Sequence, residues 1–231
     1  PNDRDETSTG ALGFGFGKEV KPFKDIAEHL AKNGYLVLRY DKRTCTNYNS
    51  KSCKATSIEG LATITIETFI DDASKALDYL KTREDVRAKD LILVGHSQGG
   101  PMVLALGKRR QDVQSVVVLA GAAFSLRETM LDQYEQLITW LQADLPPGPD
   151  KDSKIAQVQK THDTYDKALA EIEKGTYPSS TFEGSPVGFW KSWIDSHAAI
   201  EGDVQTLSQP LAVLSGDEDY NIPPKHTKQL E

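Results

Sequence analysis

Residues 91–100 read LILVGHSQGG, an apolar run that ends in a turn of small residues around Ser97. The apolar residues at 91–94 are typical of a short strand buried on both faces of a parallel sheet. The following residues match G-x-S-x-G, the sharp strand-to-helix turn that lifts a serine hydroxyl clear of a sheet. The turn approaches its neighbours so closely that we expect a side chain at Gly95 or Gly99 to clash. Ser97 is therefore a candidate nucleophile, the alternative being a serine that only caps the helix.

Strand and helix patterns alternate on both sides of this turn. Apolar residues recur at helical spacing in 23–32, which Asn33-Gly34 ends, and again in 69–80. Short apolar runs of strand length lie at 35–40, 113–119 and 211–214. This alternation predicts an α/β fold, with a mostly parallel sheet and helices on both of its faces.

The alternation stops between residues 124 and 208. Two amphipathic helical patterns lie there, without a convincing strand, and are separated by the turn Leu145-Pro146-Pro147-Gly148-Pro149. The stretch is typical of a helical cap inserted into the fold. We therefore predict a first part of the core at 1–123, a cap insertion at 124–208, and a second, incomplete part of the core at 209–231.

Three aromatic residues of the predicted cap are candidates for a substrate pocket. Phe189, Trp190 and Trp193 follow one another closely on its return leg. A cap above a nucleophile usually supplies apolar walls, so these side chains either line such a pocket or pack within the cap.

Charge and hydropathy limit the kinds of molecule that the protein is expected to bind. The 231 residues include 27 basic and 34 acidic side chains, which gives a net charge of −7. This is the wrong sign for binding nucleic acid or an anionic membrane through a basic patch. The longest apolar stretches, such as 116–123, are far shorter than the roughly 20 residues that cross a bilayer. We expect a small-molecule partner, no nucleic acid and no membrane span, and the oligomeric state stays open.

The two cysteines bear on the compartment. Cys45 and Cys53 lie in a polar loop pattern without the histidines of a zinc site, so we expect no metal there. They form either a short surface disulfide or two unrelated thiols. A disulfide would favour a secreted or periplasmic protein; the localisation is otherwise unknown.

A nucleophilic serine needs a histidine base, and that imidazole needs a carboxylate to hold its tautomer. Asp219 follows the last predicted strand and is our candidate, with Asp217 second; the alternative is an acidic surface turn. The backbone N–H of Gln98, at the start of the helix, would be one oxyanion donor. Such a triad supplies both nucleophile and base, so no cofactor is implied.

The sequence resembles the α/β-hydrolase superfamily, and within it bacterial carboxylesterases similar to serine aminopeptidases and dienelactone hydrolases. The resemblance covers essentially the whole chain. In that family the acidic triad member lies three residues after the strand-end glycine, which implies Asp219. Besides Gly95-His96-Ser97-Gln98-Gly99-Gly100, the resemblance rests on Pro1-Asn2-Asp3-Arg4-Asp5-Glu6, Pro22-Phe23-Lys24-Asp25, Leu38-Arg39-Tyr40-Asp41-Lys42-Arg43-Thr44 and Leu214-Ser215-Gly216-Asp217-Glu218-Asp219-Tyr220.

The resemblance also implies parts that this chain does not contain. The family's second oxyanion donor comes from a His-Gly-Ser-Gly loop, which would precede Pro1. Its catalytic histidine follows one more helix and strand, which places it beyond Glu231. We therefore expect a chain truncated at both ends. His226 and His197 are minor candidates for the base, and otherwise surface histidines; His226 is expected to begin the next helix.

Together these features predict a serine hydrolase that cleaves carboxylic esters through an acyl-enzyme on Ser97. An aminopeptidase or another amidase would use the same constellation. The remaining alternative is a noncatalytic binding protein that kept the fold and lost the triad histidine.

Overall fold

The computed structural model describes residues 21–44, 63–219 and 221–230, without the side chains of 197–201. The possible disulfide between Cys45 and Cys53 lies outside the described residues, as does the motif at residues 1–6. The described elements, in chain order, are α1 (Pro22–Lys32), α2 (Ile66–Lys81), β1 (Leu91–His96), α3 (Gly99–Arg109), β2 (Val113–Leu119), α4 (Leu126–Asp144), α5 (Pro149–Glu173), β3 (Thr181–Phe182), β4 (Ser185–Pro186), α6 (Val187–Thr206), β5 (Leu211–Leu214) and α7 (Pro224–Leu230).

The chain divides into two compact units. The first comprises Pro1–Thr63 and Asp78–Val86, and the second comprises Ile64–Leu77 and Arg87–Glu231. The division into a core and a cap insertion at 124–208 is a different kind of boundary, based on the sequence pattern, and stays a prediction.

Helix α1 is the main described element of the first unit. It ends where the sequence predicts: Gly34 has φ +88°, and the N–H of Tyr35 donates to the carbonyl of Leu30 at 3.1 Å. Glycine favours this left-handed position because it has no Cβ. Residues 35–40, predicted as a strand, pair with no other strand in the described part of the chain.

The second unit contains a parallel sheet with the strand order β1-β2-β5. Its register pairs His96 with Leu119, and Leu119 with Leu214. The three strands therefore end level with one another, and the residues that follow them meet at one edge of the sheet.

Helix α3 packs against β1 and β2. Its Leu104 is fully buried, while Leu93 of β1 is 6% exposed on the sheet face. The side chains of Ile92 and Val94, which alternate to the opposite face, are 39% and 49% exposed. The prediction that residues 91–94 are buried on both faces is therefore wrong, because α3 covers one face only.

The two helical patterns of the predicted cap correspond to α4 and α5, which pack against each other. Helix α4 begins with a capping box: the hydroxyl of Ser125 accepts from the N–H of Glu128, whose carboxylate accepts from the N–H of Ser125. This arrangement satisfies two backbone donors at the start of the helix. A third helix, α6, was not predicted.

A two-residue hairpin precedes α6. Glu183 and Gly184 have φ values of +47° and +71°, the left-handed pair that a tight hairpin turn requires. The carbonyl of Phe182 accepts from the indole N–H of Trp190 at 2.9 Å. The turn thereby places Phe182 in a buried cluster with residues of α4, α5 and α6, whose members are Leu126, Ala168, Leu169, Ile172, Phe182, Trp190 and Ile194.

Candidate active site

Ser97 occupies a strained turn between β1 and α3. It has φ +52°, a left-handed conformation that a side chain disfavours by about 1 kcal/mol or more. Two backbone hydrogen bonds hold it: the N–H of Ser97 donates to Leu119 at 2.9 Å, and the N–H of Gly100 donates to Ser97 at 2.9 Å. The sheet and the first turn of α3 thus impose a conformation that the serine alone would avoid.

Close backbone packing surrounds this turn. A Cβ added to Gly95 would lie 2.2 Å from the carbonyl oxygen of Gly99, and one added to Gly100 would lie 2.9 Å from the Cα of Gly121. Both distances are too short for a side chain. A Cβ at Gly99 would meet nothing within 4 Å, so the predicted clash at Gly99 is wrong. Gly99 enters the close contact through its carbonyl oxygen, not its Cα.

Asp219 lies in the turn after β5, at the same edge of the sheet as Ser97. Its carboxylate Oδ1 accepts from the backbone N–H groups of Asn221 at 2.9 Å and Ile222 at 3.0 Å. These bonds fix the orientation of the carboxylate. Asp219 is half-buried, whereas Asp217 is exposed. The geometry therefore favours Asp219 over Asp217 as an acidic partner.

The spacing between Ser97 and Asp219 follows from the strand order. Strand β2 lies between β1 and β5, so two strand spacings, roughly 10 Å, separate the segments that carry the two residues. An imidazole with a hydrogen bond at each nitrogen spans roughly 8 Å. The arrangement can accommodate a histidine between the two side chains and leaves no direct bond between them.

Gln98 is the residue immediately before α3. The backbone N–H groups at a helix amino end carry partial positive charge, which favours a negatively charged group beside them. This position suits a donor to an oxyanion that forms next to Ser97.

An apolar pocket lies beside the first turn of α3. Of the three aromatic candidates, only Trp193 lines it. Trp190 is 8% exposed and packs within the buried cluster, and Phe189 packs edge-on against Phe69. The lining residues are Pro101, Ala122, Phe124, Leu126, Thr129, Trp193 and Ser196. They come from α3, from the segment after β2, and from α4 and α6.

His226, the other described candidate for the base, contacts Ala123 and Asp132. As predicted it lies in the first turn of a helix, α7, but it is fully buried, so its expected surface position is wrong. Its Nδ1 accepts from the backbone N–H of Ala123 at 3.0 Å, and its Nε2 lies 3.6 Å from the carboxylate of Asp132. Burial lowers the pKa of His226, which keeps the ring neutral. The side chain of His197 lies outside the described residues.

Sequence reasoning missed this environment of His226. Ala123 and Asp132 lie 103 and 94 positions away in the chain, beyond the reach of any local pattern. The capping box at Ser125 could have been found, because S-x-x-E before an apolar run is a helix-start signal.

The described residues bear on metal binding and on membrane insertion. Across residues 21–44, 63–219 and 221–230, no cluster of three or more His, Cys, Asp or Glu side chains could hold a metal ion. Within the same ranges, none of the helices combines the length and the apolar character needed to cross a membrane.

The family model described as "Serine aminopeptidase, S33" matches residues 12–231. The chain belongs to this family. The match includes the Ser97 turn, the segment 124–208 and the Asp219 turn. It confirms the resemblance to the α/β-hydrolase superfamily.

One curated relative of this serine aminopeptidase-family chain is Esterase EstD of Thermotoga maritima. The two are 28% identical over 227 residues, which cover 97% of this chain and 45% of the esterase. The chain thus spans less than half the length of that protein.

Solved structures share the fold. VinJ is 18% identical with a TM-score of 0.55, covering 99% of this chain and 75% of VinJ. The monoacylglycerol lipase of Paleococcus ferrophilus is 16% identical with a TM-score of 0.52, covering 90% of this chain and 73% of the lipase. These likenesses confirm the predicted α/β-hydrolase fold, a parallel sheet flanked by helices.

Proposed function

We propose that the protein cleaves carboxylic esters of small molecules through an acyl-enzyme formed on Ser97. The observation that carries the proposal is the left-handed backbone of Ser97, φ +52°, held between β1 and α3. A strained serine at a strand-to-helix turn is the arrangement that exposes a nucleophile. The names of the Thermotoga maritima and Paleococcus ferrophilus relatives, an esterase and a monoacylglycerol lipase, support an ester substrate.

The proposed reaction has two halves. The Oγ of Ser97 attacks the ester carbonyl carbon while its proton passes to an imidazole nitrogen. The resulting oxyanion receives a hydrogen bond from the N–H of Gln98. The carbon–oxygen bond then breaks, and the alcohol leaves with the proton from the imidazolium. Water attacks the acyl-enzyme with the help of the same base, which releases the acid and restores Ser97.

The base in this scheme is an imidazole between Ser97 and Asp219. His226 does not fit this role, because its Nδ1 already accepts from Ala123 and its Nε2 faces Asp132. The base is therefore a different histidine, one that the Asp219 carboxylate orients from the far side of the ring.

The acyl group is proposed to lie against the apolar pocket beside α3, whose cavity volume of about 20 Å³ is too small to enclose the whole group. The lining of the pocket includes the Trp193 ring and the hydroxyls of Thr129 and Ser196, and none of the described residues that line it carries a charge. An uncharged acyl chain matches such a wall better than an ionised one, since an unpaired charge is costly to bury.

An aminopeptidase is the second candidate, favoured by the description of the family model. A substrate with a free α-amino group would need a carboxylate close to the scissile bond. The described lining of the apolar pocket offers none, which favours the esterase. Parallel assays with a p-nitrophenyl ester and an aminoacyl p-nitroanilide distinguish the two.

Ester turnover tests the proposal. Ser97→Ala should abolish hydrolysis of p-nitrophenyl butyrate and keep the circular dichroism spectrum unchanged. Ser153→Ala, an exposed serine on α5, is the matched control and should retain full activity. Turnover that persists in Ser97→Ala would contradict the assignment. If the wild-type protein is instead stabilised by an ester without hydrolysing it, the noncatalytic binding protein is the better account.

A further inference from the structure

His226 stands at the centre of a buried contact between α7, α4 and the segment that follows β2. It is 0% exposed, although it belongs to a short, polar helix. Its Nδ1 accepts from the N–H of Ala123 at 3.0 Å, which requires a lone pair on that nitrogen. The ring proton of the neutral imidazole therefore sits on Nε2.

The Nε2 atom faces Asp132 of α4. Its distance to Oδ2 of Asp132 is 3.6 Å, too long for a hydrogen bond, and neither atom has a hydrogen-bond partner among the described residues. The other oxygen of Asp132 accepts from Lys225 at 2.6 Å. The groups that face His226 are thus Asp132 from α4, Lys225 from α7 itself and, further away, Asp219 from the turn after β5.

The same ring supports the wall of the apolar pocket. Phe124 packs edge-on against His226, with ring centroids 4.7 Å apart, and Lys225 lies 5.4 Å from the Phe124 centroid. Ala122 and Phe124 line the pocket on either side of Ala123. The imidazole therefore contacts the wall formed by residues 122–124 at two points, the Ala123 N–H and the Phe124 ring.

We propose that His226 is a positioning residue whose neutral imidazole fixes residues 122–124 as the wall of the acyl pocket, and whose protonation releases that wall. A proton on Nδ1 removes the acceptor of the Ala123 N–H, so two hydrogen-bond donors, Nδ1–H and the Ala123 N–H, then point at each other. The pocket then loses its shape as the pH falls. The link to acyl binding rests on the proposed function, whereas the switch at Ala123 does not.

Hydrogen exchange at the Ala123 amide tests the switch directly and needs no turnover. An opened segment exposes an imidazole with an ordinary pKa near 6.5, so linkage predicts that protection falls by up to about 30-fold between pH 7.5 and pH 5.0. We expect a fall of at least threefold after correction for the intrinsic exchange rate. A smaller fall in the wild-type protein would overturn the proposal.

Substitutions separate the switch from a purely structural role. The amide oxygen of Asn can replace Nδ1 as the acceptor but cannot be protonated, so His226→Asn should keep Ala123 protected at both pH values. His226→Leu, which has no acceptor, should lose that protection at both. Should His226→Leu fail to fold, Asp132→Asn provides a second test. Removing the carboxylate disfavours the imidazolium of the closed state, so protection should still begin to fall near pH 6.5 and should fall at least as far by pH 5.0 as in the wild type. A pH-dependent fall that persists in His226→Asn, or one that disappears in Asp132→Asn, would contradict the proposal. His162→Asn is the matched control and should show the same fall as the wild type.

A pair of active-site probes tests the effect on the pocket. A hexyl and an ethyl fluorophosphonate react with the same serine and base, so the ratio of their rates cancels the titration of the base. The rate with the hexyl probe divided by the rate with the ethyl probe should fall between pH 7.5 and pH 5.0 in the wild type. The same quotient should stay constant in His226→Asn. A constant ratio in both proteins would refute the link to the pocket. Absence of any labelling would instead contradict the proposed function and leave the exchange result at Ala123 to decide the switch.

Discussion

Gly95 and Gly99 occupy equivalent places in the G-x-S-x-G motif, yet the structure predicts opposite effects for alanine at each. In Gly95→Ala the new Cβ would lie 2.2 Å from the carbonyl oxygen of Gly99, a backbone atom that cannot rotate away. The turn must therefore shift. Overpacking of this kind costs about 1–3 kcal/mol, and contact with backbone favours the upper end, so we expect a loss of about 3 kcal/mol.

Gly99→Ala is the matched control. A Cβ there meets no atom within 4 Å, and Gly99 is the first residue of α3. Alanine in a compatible conformation restricts the unfolded chain, so this variant should gain about 0.5 kcal/mol of stability. The assay is urea denaturation followed by circular dichroism. Equal stability of Gly95→Ala and the wild type, or a loss above about 2 kcal/mol in Gly99→Ala, would refute the described geometry of the turn.

Three more changes test other parts of the structure. Asp219→Asn should abolish ester turnover and Asp217→Asn should leave it nearly intact, because only Asp219 has its carboxylate held by two backbone amides; equal losses would remove the basis for that choice. The pKa of His226 lies below its ordinary value, so the neutral ring contributes fully to the free energy of unfolding above about pH 6.5. Below that pH the free energy of unfolding should decrease, by at most about 1.4 kcal/mol per pH unit. Urea titrations of the wild type and His226→Asn should show this decline in the wild type alone, and identical pH profiles would count against it. Trp190→Phe leaves the buried carbonyl of Phe182 without its donor and should cost about 1–3 kcal/mol in the same denaturation assay; an unchanged midpoint would mean that this bond contributes nothing.

The Ser97 turn could be predicted from sequence because its signals are local. An apolar run, small residues and a helical pattern lie within a few positions of one another, and the resulting backbone is the one that the motif implies. The end of α1 at Gly34 was predictable for the same reason. The sequence pattern also placed Asp219 after the last strand, and the register of β1, β2 and β5 brings the two segments to one edge of the sheet.

The features that the sequence did not predict depend on contacts between distant segments. Helix α6 lacks a clear apolar period, because aromatic side chains on several of its faces pack against α2, α5 and the β3–β4 hairpin. The burial of His226 depends on Ala123, 103 positions away. The exposure of Ile92 reflects which face of the sheet α3 covers, a choice that an apolar run does not encode.

Covalent labelling of Ser97 tests the central claim most directly. The full-length protein is treated with a fluorophosphonate, which reacts appreciably only with an activated serine, and the adduct is located by intact mass and peptide mapping. We predict one adduct per chain, on Ser97, that is absent in Ser97→Ala and retained in Ser153→Ala. A protein that acquires no adduct, or one whose adduct persists in Ser97→Ala, would show that Ser97 is not an activated nucleophile.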